Sequence, residues 1–213
     1  MKAYLFDFDG TLVDSMPTFA AVMTRILDEN SIEYSSDLIK IITPLGFKDT
    51  AKYFREKLGL ELSESETLDL MTKYAIHEYT YNVPAKHSVI ETLRTMKSRG
   101  FSLNVLTASP HDTLVPCLKR LGIYELFDNV WSCNDFGTNK ANPEIYKMAA
   151  ERIGTAVENV VFLDDNYNAD KTAKLAGMEV VGVFDESSAD YADEIKSVTD
   201  AYIRDFSELL ALL

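Results

Sequence analysis

The sequence predicts an α/β protein with a doubly wound parallel sheet core and a small all-α domain inserted after the first strand. Three observations predict it. Short, near-continuous apolar runs recur along the chain, as strands covered on both faces require. From about residue 85 onward, amphipathic stretches alternate with those runs, the rhythm of a doubly wound fold. Residues 16–82 break the rhythm and read as helix after helix.

Ala3–Phe8 (AYLFDF) is the first expected strand. The insertion opens with a helix over Pro17–Glu29, where Pro17 suits the first turn behind Ser15 as N-cap. Ser36–Ile42, Asp49–Leu58 and Glu64–Tyr81 continue it as helices. The expected division is therefore a core of residues 1–15 and 83–213 around a helical domain of residues 16–82, a size that suits a lid or second domain. The alternation then resumes with a helix at Val89–Arg99, a strand at Phe101–Thr107 and a helix at Thr113–Leu121. The strand Asn129–Ser132, helix Pro143–Ile153, strand Asn159–Leu163 and helix Tyr167–Leu175 follow, and the strands Glu179–Phe184 and Ala201–Ile203 close the series. Gly100, Gly122, Gly154 and Gly177 stand where helices should stop. There is no internal repeat and no low-complexity tract.

A chain of 213 residues that is 46% apolar can bury a substantial core without disulfides or metals as staples. Cys117 and Cys133 form no CxxC pair and have no metal-ligand spacing, so both read as buried free thiols and structural zinc is not expected. The formal net charge of −13 repels nucleic acid and anionic lipid, so neither is an expected partner. It also means that an anionic substrate needs a bound cation or a local lysine at its site. The first apolar run is broken by Asp7 and Asp9, and no run approaches the ~18 residues of a membrane span. The expected setting is cytoplasmic.

Four places have residue types that point to chemistry. In Asp7-Phe8-Asp9-Gly10-Thr11, at the carboxyl end of the first strand, an extended backbone puts Asp7 and Asp9 on one side and Phe8 in the core. Two carboxylates about 4 Å apart repel by roughly 4 kcal/mol at an effective dielectric near 20, so a cation or shared proton must offset them. Leu163-Asp164-Asp165-Asn166 ends the fourth strand and should face the same crevice beyond the strand ends. Carboxylates converging there without His or Cys describe a hard-cation site that favours Mg²⁺ over zinc. Thr107-Ala108-Ser109 offers a hydroxyl and backbone N–H groups to phosphoryl oxygens, and Lys140 is a natural counter-charge in a polar loop. Each alone has an ordinary reading as well: a solvated turn, a helix cap, an exposed lysine. His77, His87 and His111 read as surface residues without ligand spacing.

Asp-x-Asp, then Thr, then Lys, then Asp-Asp is similar to the pattern of haloacid dehalogenase-like hydrolases. DFDGTLVDS (7–15), LTASP (106–110), LGIYELFD (121–128), KANPEIY (140–146), VVFLDD (160–165), AKLAGM (173–178) and DAYIRDFSELL (200–210) all resemble family segments in order. The resemblance implies a Rossmann-like core with a helical cap and a Mg²⁺-dependent phosphatase acting on a small phosphorylated metabolite. It implies Asp7 as nucleophile and Asp9 as general acid and base. It places the metal on the Asp7 carboxylate, the Asp9 carbonyl and Asp165, with Asp164 a direct or water-mediated ligand. Thr11, Thr107 and the Ala108 N–H resemble the donors to phosphoryl oxygens, and Lys140 would neutralise the phosphate and Asp7.

The acid at Asp9 favours phosphate monoesters over dehalogenation or phosphonate cleavage. Phosphoglycolate-like compounds and sugar phosphates are the expected substrates. A sugar phosphomutase of the β-phosphoglucomutase type is the alternative, because the core motifs are shared. The expected assembly is a monomer or weak homodimer. Thr43 to Lys48 (TPLGFK) resembles a cap loop that reaches the substrate, in which Lys48 either meets an anionic leaving group or is simply exposed. Two departures stand out: Ala141-Asn142-Pro143 follows Lys140 where many relatives place Pro at once, and Lys86-His87-Ser88-Val89 replaces a frequent Pro-Gly-Val as a detail of the return from the cap.

Overall fold

Six strands are present in this computed structural model, which describes residues 2–42 and 45–213: β1 (Ala3–Phe6), β2 (Ser102–Thr107), β3 (Asn129–Ser132), β4 (Val160–Asp164), β5 (Glu179–Val183) and β6 (Ala201–Ile203). They form one sheet in the order β3-β2-β1-β4-β5-β6, and every pairing is parallel. β1 and β4, AYLF and VVFLD, are buried throughout, as central strands covered on both faces must be. Alternate residues of β1 serve opposite faces. Ala3 and Leu5 join Phe162, Ile145, Tyr146, Ala173 and Val180 in one core cluster. Phe6 instead meets the rings of Phe127 and Phe206, at centroid separations of 6.2 and 6.0 Å.

Five helices accompany these strands: α5 (Val89–Ser98), α6 (His111–Arg120), α7 (Glu144–Ile153), α8 (Tyr167–Ala176) and α9 (Ala192–Val198). Gly154 and Gly177 end α7 and α8 in the left-handed region, which a residue without Cβ adopts at no steric penalty. The expected element limits shift by a few residues. The first strand stops at Phe6 instead of Phe8, because the chain turns at once into a loop bridged between Asp9 and Val13. α6 begins at His111 because Pro110 takes the N-cap position with extended backbone. Helix α9 was not expected; its segment ADEIKSV buries only Ile195, too little for an apolar stripe to be visible.

The chain divides into two compact units, Met1–Asp14 with Pro84–Leu213, and Ser15–Val83. The second holds α1 (Met16–Glu29), α2 (Leu38–Ile42), α3 (Gly46–Leu58) and α4 (Glu64–Tyr81). Its interior is built from Met23, Ile26, Leu27, Ile42, Phe54 and Met71. Ser15 occupies the N-cap of α1 but makes no side-chain bond to the helix backbone, since its backbone is already helical. Ser63 is the side chain that caps: it accepts from the Glu66 N–H at 3.2 Å while Glu66 accepts from the Ser63 N–H at 2.9 Å. Lys48 is exposed in the first turn of α3, and Thr43 and Pro44 of the expected loop lie outside the described residues. Among the described residues no helix is long and apolar enough to cross a membrane.

Candidate active site

Strand order reverses direction about β1 and β4, so the crevice beyond their carboxyl ends is where a ligand site is expected in a doubly wound sheet. Asp7 is the first residue past β1, and its N–H donates to the Leu163 carbonyl at 2.8 Å. Phe8 is fully buried and anchors the turn. The Leu12 and Val13 N–H groups both return to the Phe8 carbonyl, at 2.9 and 3.1 Å. Gly10 makes this reversal with φ +75°, and a Cβ there would lie 2.6 Å from Asp165 Oδ2. Thr11, fully buried, donates from Oγ1 to Asp165 Oδ1 at 3.2 Å. The Gly10–Thr11 turn thus forms the wall against which Asp165 rests.

Asp164 is the last residue of β4. Its Oδ1 accepts from the Asn166 N–H at 2.8 Å, and its Oδ2 accepts from Lys140 Nζ at 2.7 Å. Lys140 Nζ also donates to Asp7 Oδ1 and stands 5.4 Å from the centre of the Phe162 ring. The loop that carries it is held from below by Tyr146 on α7, whose hydroxyl lies 3.2 Å from the Lys140 carbonyl and 3.0 Å from that of Ala169. Asp7, Asp164 and Asp165 each put one carboxylate oxygen within 4.8 Å of the others. Three of the four anticipated carboxylates converge in this way. The fourth, Asp9, receives a hydrogen bond from Ser109 Oγ instead. The Ser109 N–H donates to Thr107 Oγ1 at 3.0 Å, so the end of β2 reaches Asp9 through adjacent hydroxyls. Ala108, between them, is exposed.

The electrostatics follow from crowding acids in a dry place. Burial pushes Asp7 up to about 7; Lys140 opposes that, while Asp164 and Asp9 add to it. Burial likewise lifts Asp165 well above the carboxylate range, reinforced by Asp164 and Asp7. For Lys140, burial pulls downward but Asp164 and Asp7 outweigh it, and the ammonium stays charged. One ammonium bonded to two of three buried carboxylates leaves the cluster short of positive charge. Its donor atoms are oxygens only, which fits a hard divalent cation.

Sequence reasoning missed three side chains around this cluster. Asp170, on α8, is completely buried with both carboxylate oxygens unpartnered, and burial together with Asp164 and Asp165 pushes it up to about 10. An acid in register with Ala169, Ala173 and Ala176 on the buried stripe of α8 is the signal by which the sequence reading could have found it. Lys86 donates to the Gly10 carbonyl and to Asp185, neither of which the sequence hinted at. The three histidines pair with surface carboxylates: His77 with Glu78, His87 with Asp205, and His111 with Asp135.

A family model described as haloacid dehalogenase-like hydrolase matches residues 4–183. A phosphoglycolate phosphatase of Colwellia psychrerythraea is 30% identical, with 100% of this chain and 96% of that protein aligned. A phosphorylated carbohydrates phosphatase of Thermotoga maritima is 27% identical, over 84% of this chain and 83% of that one. Among solved structures, a Thermotoga maritima protein provisionally named a β-phosphoglucomutase superposes with a TM-score of 0.85 over 100% of this chain and 98% of its own, at 24% identity. That last likeness concerns the fold alone, and it agrees with the doubly wound, Rossmann-like core described above. With the family pattern spanning β1 to β5 and its carboxylates gathered at the sheet's switch point, the chain belongs to the haloacid dehalogenase-like hydrolases and is an enzyme of that family.

Proposed function

We propose that this enzyme is a Mg²⁺-dependent phosphatase that hydrolyses a small phosphate monoester through an aspartyl-phosphate on Asp7. The observation that carries the reading is the setting of Asp7: a buried carboxylate at a strand end, hydrogen-bonded by Lys140 and set among Asp164 and Asp165. The phosphatase names of relatives at 27% and 30% identity support the reaction class.

In the proposed sequence an Asp7 carboxylate oxygen attacks phosphorus and the bond to the leaving oxygen breaks. Asp9 gives that oxygen a proton. Asp9 then takes a proton from water as the water attacks phosphorus, and the bond from Asp7 to phosphorus breaks. Phosphate leaves and Asp7 is restored. Ser109 aims the Asp9 carboxylate, and Thr11, Thr107 and the Ala108 N–H would donate to the equatorial oxygens. Lys140 stabilises charge spread over those oxygens, which is where phosphoryl transfer most needs help. Asp7, the Asp9 carbonyl, Asp164 and Asp165 would hold Mg²⁺, which when bound supplies positive charge against Asp7 and the incoming phosphate. The helical unit is assigned the role of a cap that selects the substrate, with phosphoglycolate-like compounds and sugar phosphates as the class.

Phosphate release from p-nitrophenyl phosphate and from a set of small phosphorylated metabolites tests the reading. Turnover with Mg²⁺ is expected, lost in EDTA and reduced by at least about 10³-fold in Asp7→Asn. Turnover that persists in Asp7→Asn would discard the covalent mechanism. Interconversion of sugar phosphates without net phosphate release would replace hydrolysis by a mutase reaction.

A further inference from the structure

We propose that Lys86 is a positioning residue for this chemistry: its ammonium fixes the Gly10 carbonyl and, through it, the turn that carries Asp9 and Thr11. The inference rests on the phosphatase reading above. Lys86 Nζ donates to the Gly10 carbonyl at 2.6 Å, to the Phe184 carbonyl at 2.5 Å and to Asp185 Oδ2 at 2.9 Å. An ammonium has three donors, and here each has an acceptor. The charge is enclosed, with the Lys86 side chain 17% exposed and that of Asp185 6%.

Both ends of this contact are immobilised. The Lys86 N–H donates to the Leu12 carbonyl at 3.0 Å, and the preceding residue, Ala85, forms an antiparallel bridge with Val13. Asp185 is held through its other oxygen, which accepts from the N–H of Ser187 at 3.0 Å and from its hydroxyl at 2.6 Å. The lysine therefore ties the segment returning from the insertion to the residues just past β5 and to the Asp7–Val13 loop. Gly10 needs such a tie. A glycine at φ +75° has the freest backbone of any residue, and its peptide sets the direction of Asp9 before it and Thr11 after it. The same peptide faces the Asp165 carboxylate, which an added Cβ would meet at 2.6 Å.

Stability alone gives no reason for this arrangement. An enclosed ion pair can often be exchanged for apolar side chains at no loss, whereas nothing apolar can fix a carbonyl by a directed bond. Lys140 grips the carboxylate cluster through Asp7 and Asp164; Lys86 grips the Gly10 turn through the backbone. Misplacement by about 1 Å of groups that meet a transition state costs on the order of 100-fold in rate.

The experiment compares wild type with Lys86→Met, Lys86→Arg and the double variant Lys86→Met/Asp185→Asn. The double variant removes both charges together, so no unpaired ion is left enclosed. Three readouts are taken: kcat and KM on p-nitrophenyl phosphate with Mg²⁺, the thermal midpoint, and amide exchange over residues 5–14. The double variant is expected to keep the wild-type midpoint and a KM within about threefold, to lose about 10- to 100-fold in kcat, and to exchange faster at residues 10–13. Lys86→Arg should recover part of the kcat. Wild-type kcat in the double variant, or a fall in kcat with unchanged exchange at residues 10–13, overturns the proposal. A wild-type protein that turns over no phosphate ester removes the phosphatase reading instead; the exchange comparison then stands alone, and unchanged protection of the turn overturns the role given to Lys86.

Discussion

Asp170 has both oxygens buried without a hydrogen-bond partner, an arrangement that a neutral carboxyl tolerates and an ionised one does not. Its folded pKa of about 10 lies far above that of an unfolded aspartate. Stability from this group is thus complete below pH ~4, where both states hold the proton, and is lost steadily as pH rises toward about 10. In EDTA, Asp170→Asn should therefore gain on the wild type as pH rises, with the gap in urea-unfolding free energy widening from pH 5 to pH 8 by up to about 4 kcal/mol. A gap that stays constant with pH would mean that Asp170 is ionised in the fold. Asp7 and Asp165 give a related expectation. Both are pushed upward by burial, Asp7 to about 7, so a divalent cation must expel protons that they keep to higher pH than an ordinary carboxylate does. Mg²⁺ affinity should strengthen between pH 6 and 8, by up to about tenfold per unit for each proton released. Calorimetry in two buffers of different ionisation enthalpy would count those protons.

At the scale of elements, α7 is a packing helix that also sets up the site. Ile145, Tyr146 and Ala149 bury its inner face, and the Tyr146 hydroxyl passes beneath the Lys140 loop to two backbone carbonyls. Its ring stands edge-on to Phe162 at 5.0 Å, so the orientation is fixed by the core. Tyr146→Phe keeps that ring contact but removes the single hydroxyl proton that one of the two carbonyls accepts. It should cost about 1–2 kcal/mol in urea unfolding and lower kcat more than it raises KM, because Lys140 loses its footing. The strands were the most legible elements. AYLF and VVFL are apolar at every position because both faces are covered, and that pattern is visible without coordinates. Helix α9 was not legible, since its acidic sequence presents one buried residue and no stripe. Ser15 stands at the N-cap with Pro17 in the first turn, as its sequence suggests, but its side chain makes no cap bond, because that depends on backbone angles the sequence does not display.

For the molecule as a whole, strand order explains why so much of the candidate site could be read in advance. Acids at the ends of β1 and β4 are brought together because those strands are neighbours at the point where the sheet reverses its winding. Chain direction thus reveals Asp7, Asp164 and Asp165. Lys86 and Asp185 were hidden because their meeting depends on side-chain reach between segments 99 residues apart in sequence. The return of the chain has one more consequence. The outgoing and incoming segments pair as a narrow ribbon, with Val13 bridged to Ala85 and the Asp14 N–H donating to the Pro84 carbonyl at 3.0 Å. The chain therefore leaves and re-enters the parallel-sheet unit at adjoining backbone positions, Asp14 and Pro84. Replacing residues Ser15–Val83 with a tight two- or three-residue turn asks no strand to move and closes the chain with little entropy. On the proposed function, the excised protein should keep the far-ultraviolet circular dichroism of the parallel-sheet domain and bind Mg²⁺ while losing choice among substrates. Paired ends of this kind would let the parallel-sheet unit carry insertions of different sequence without a change in its own strand order.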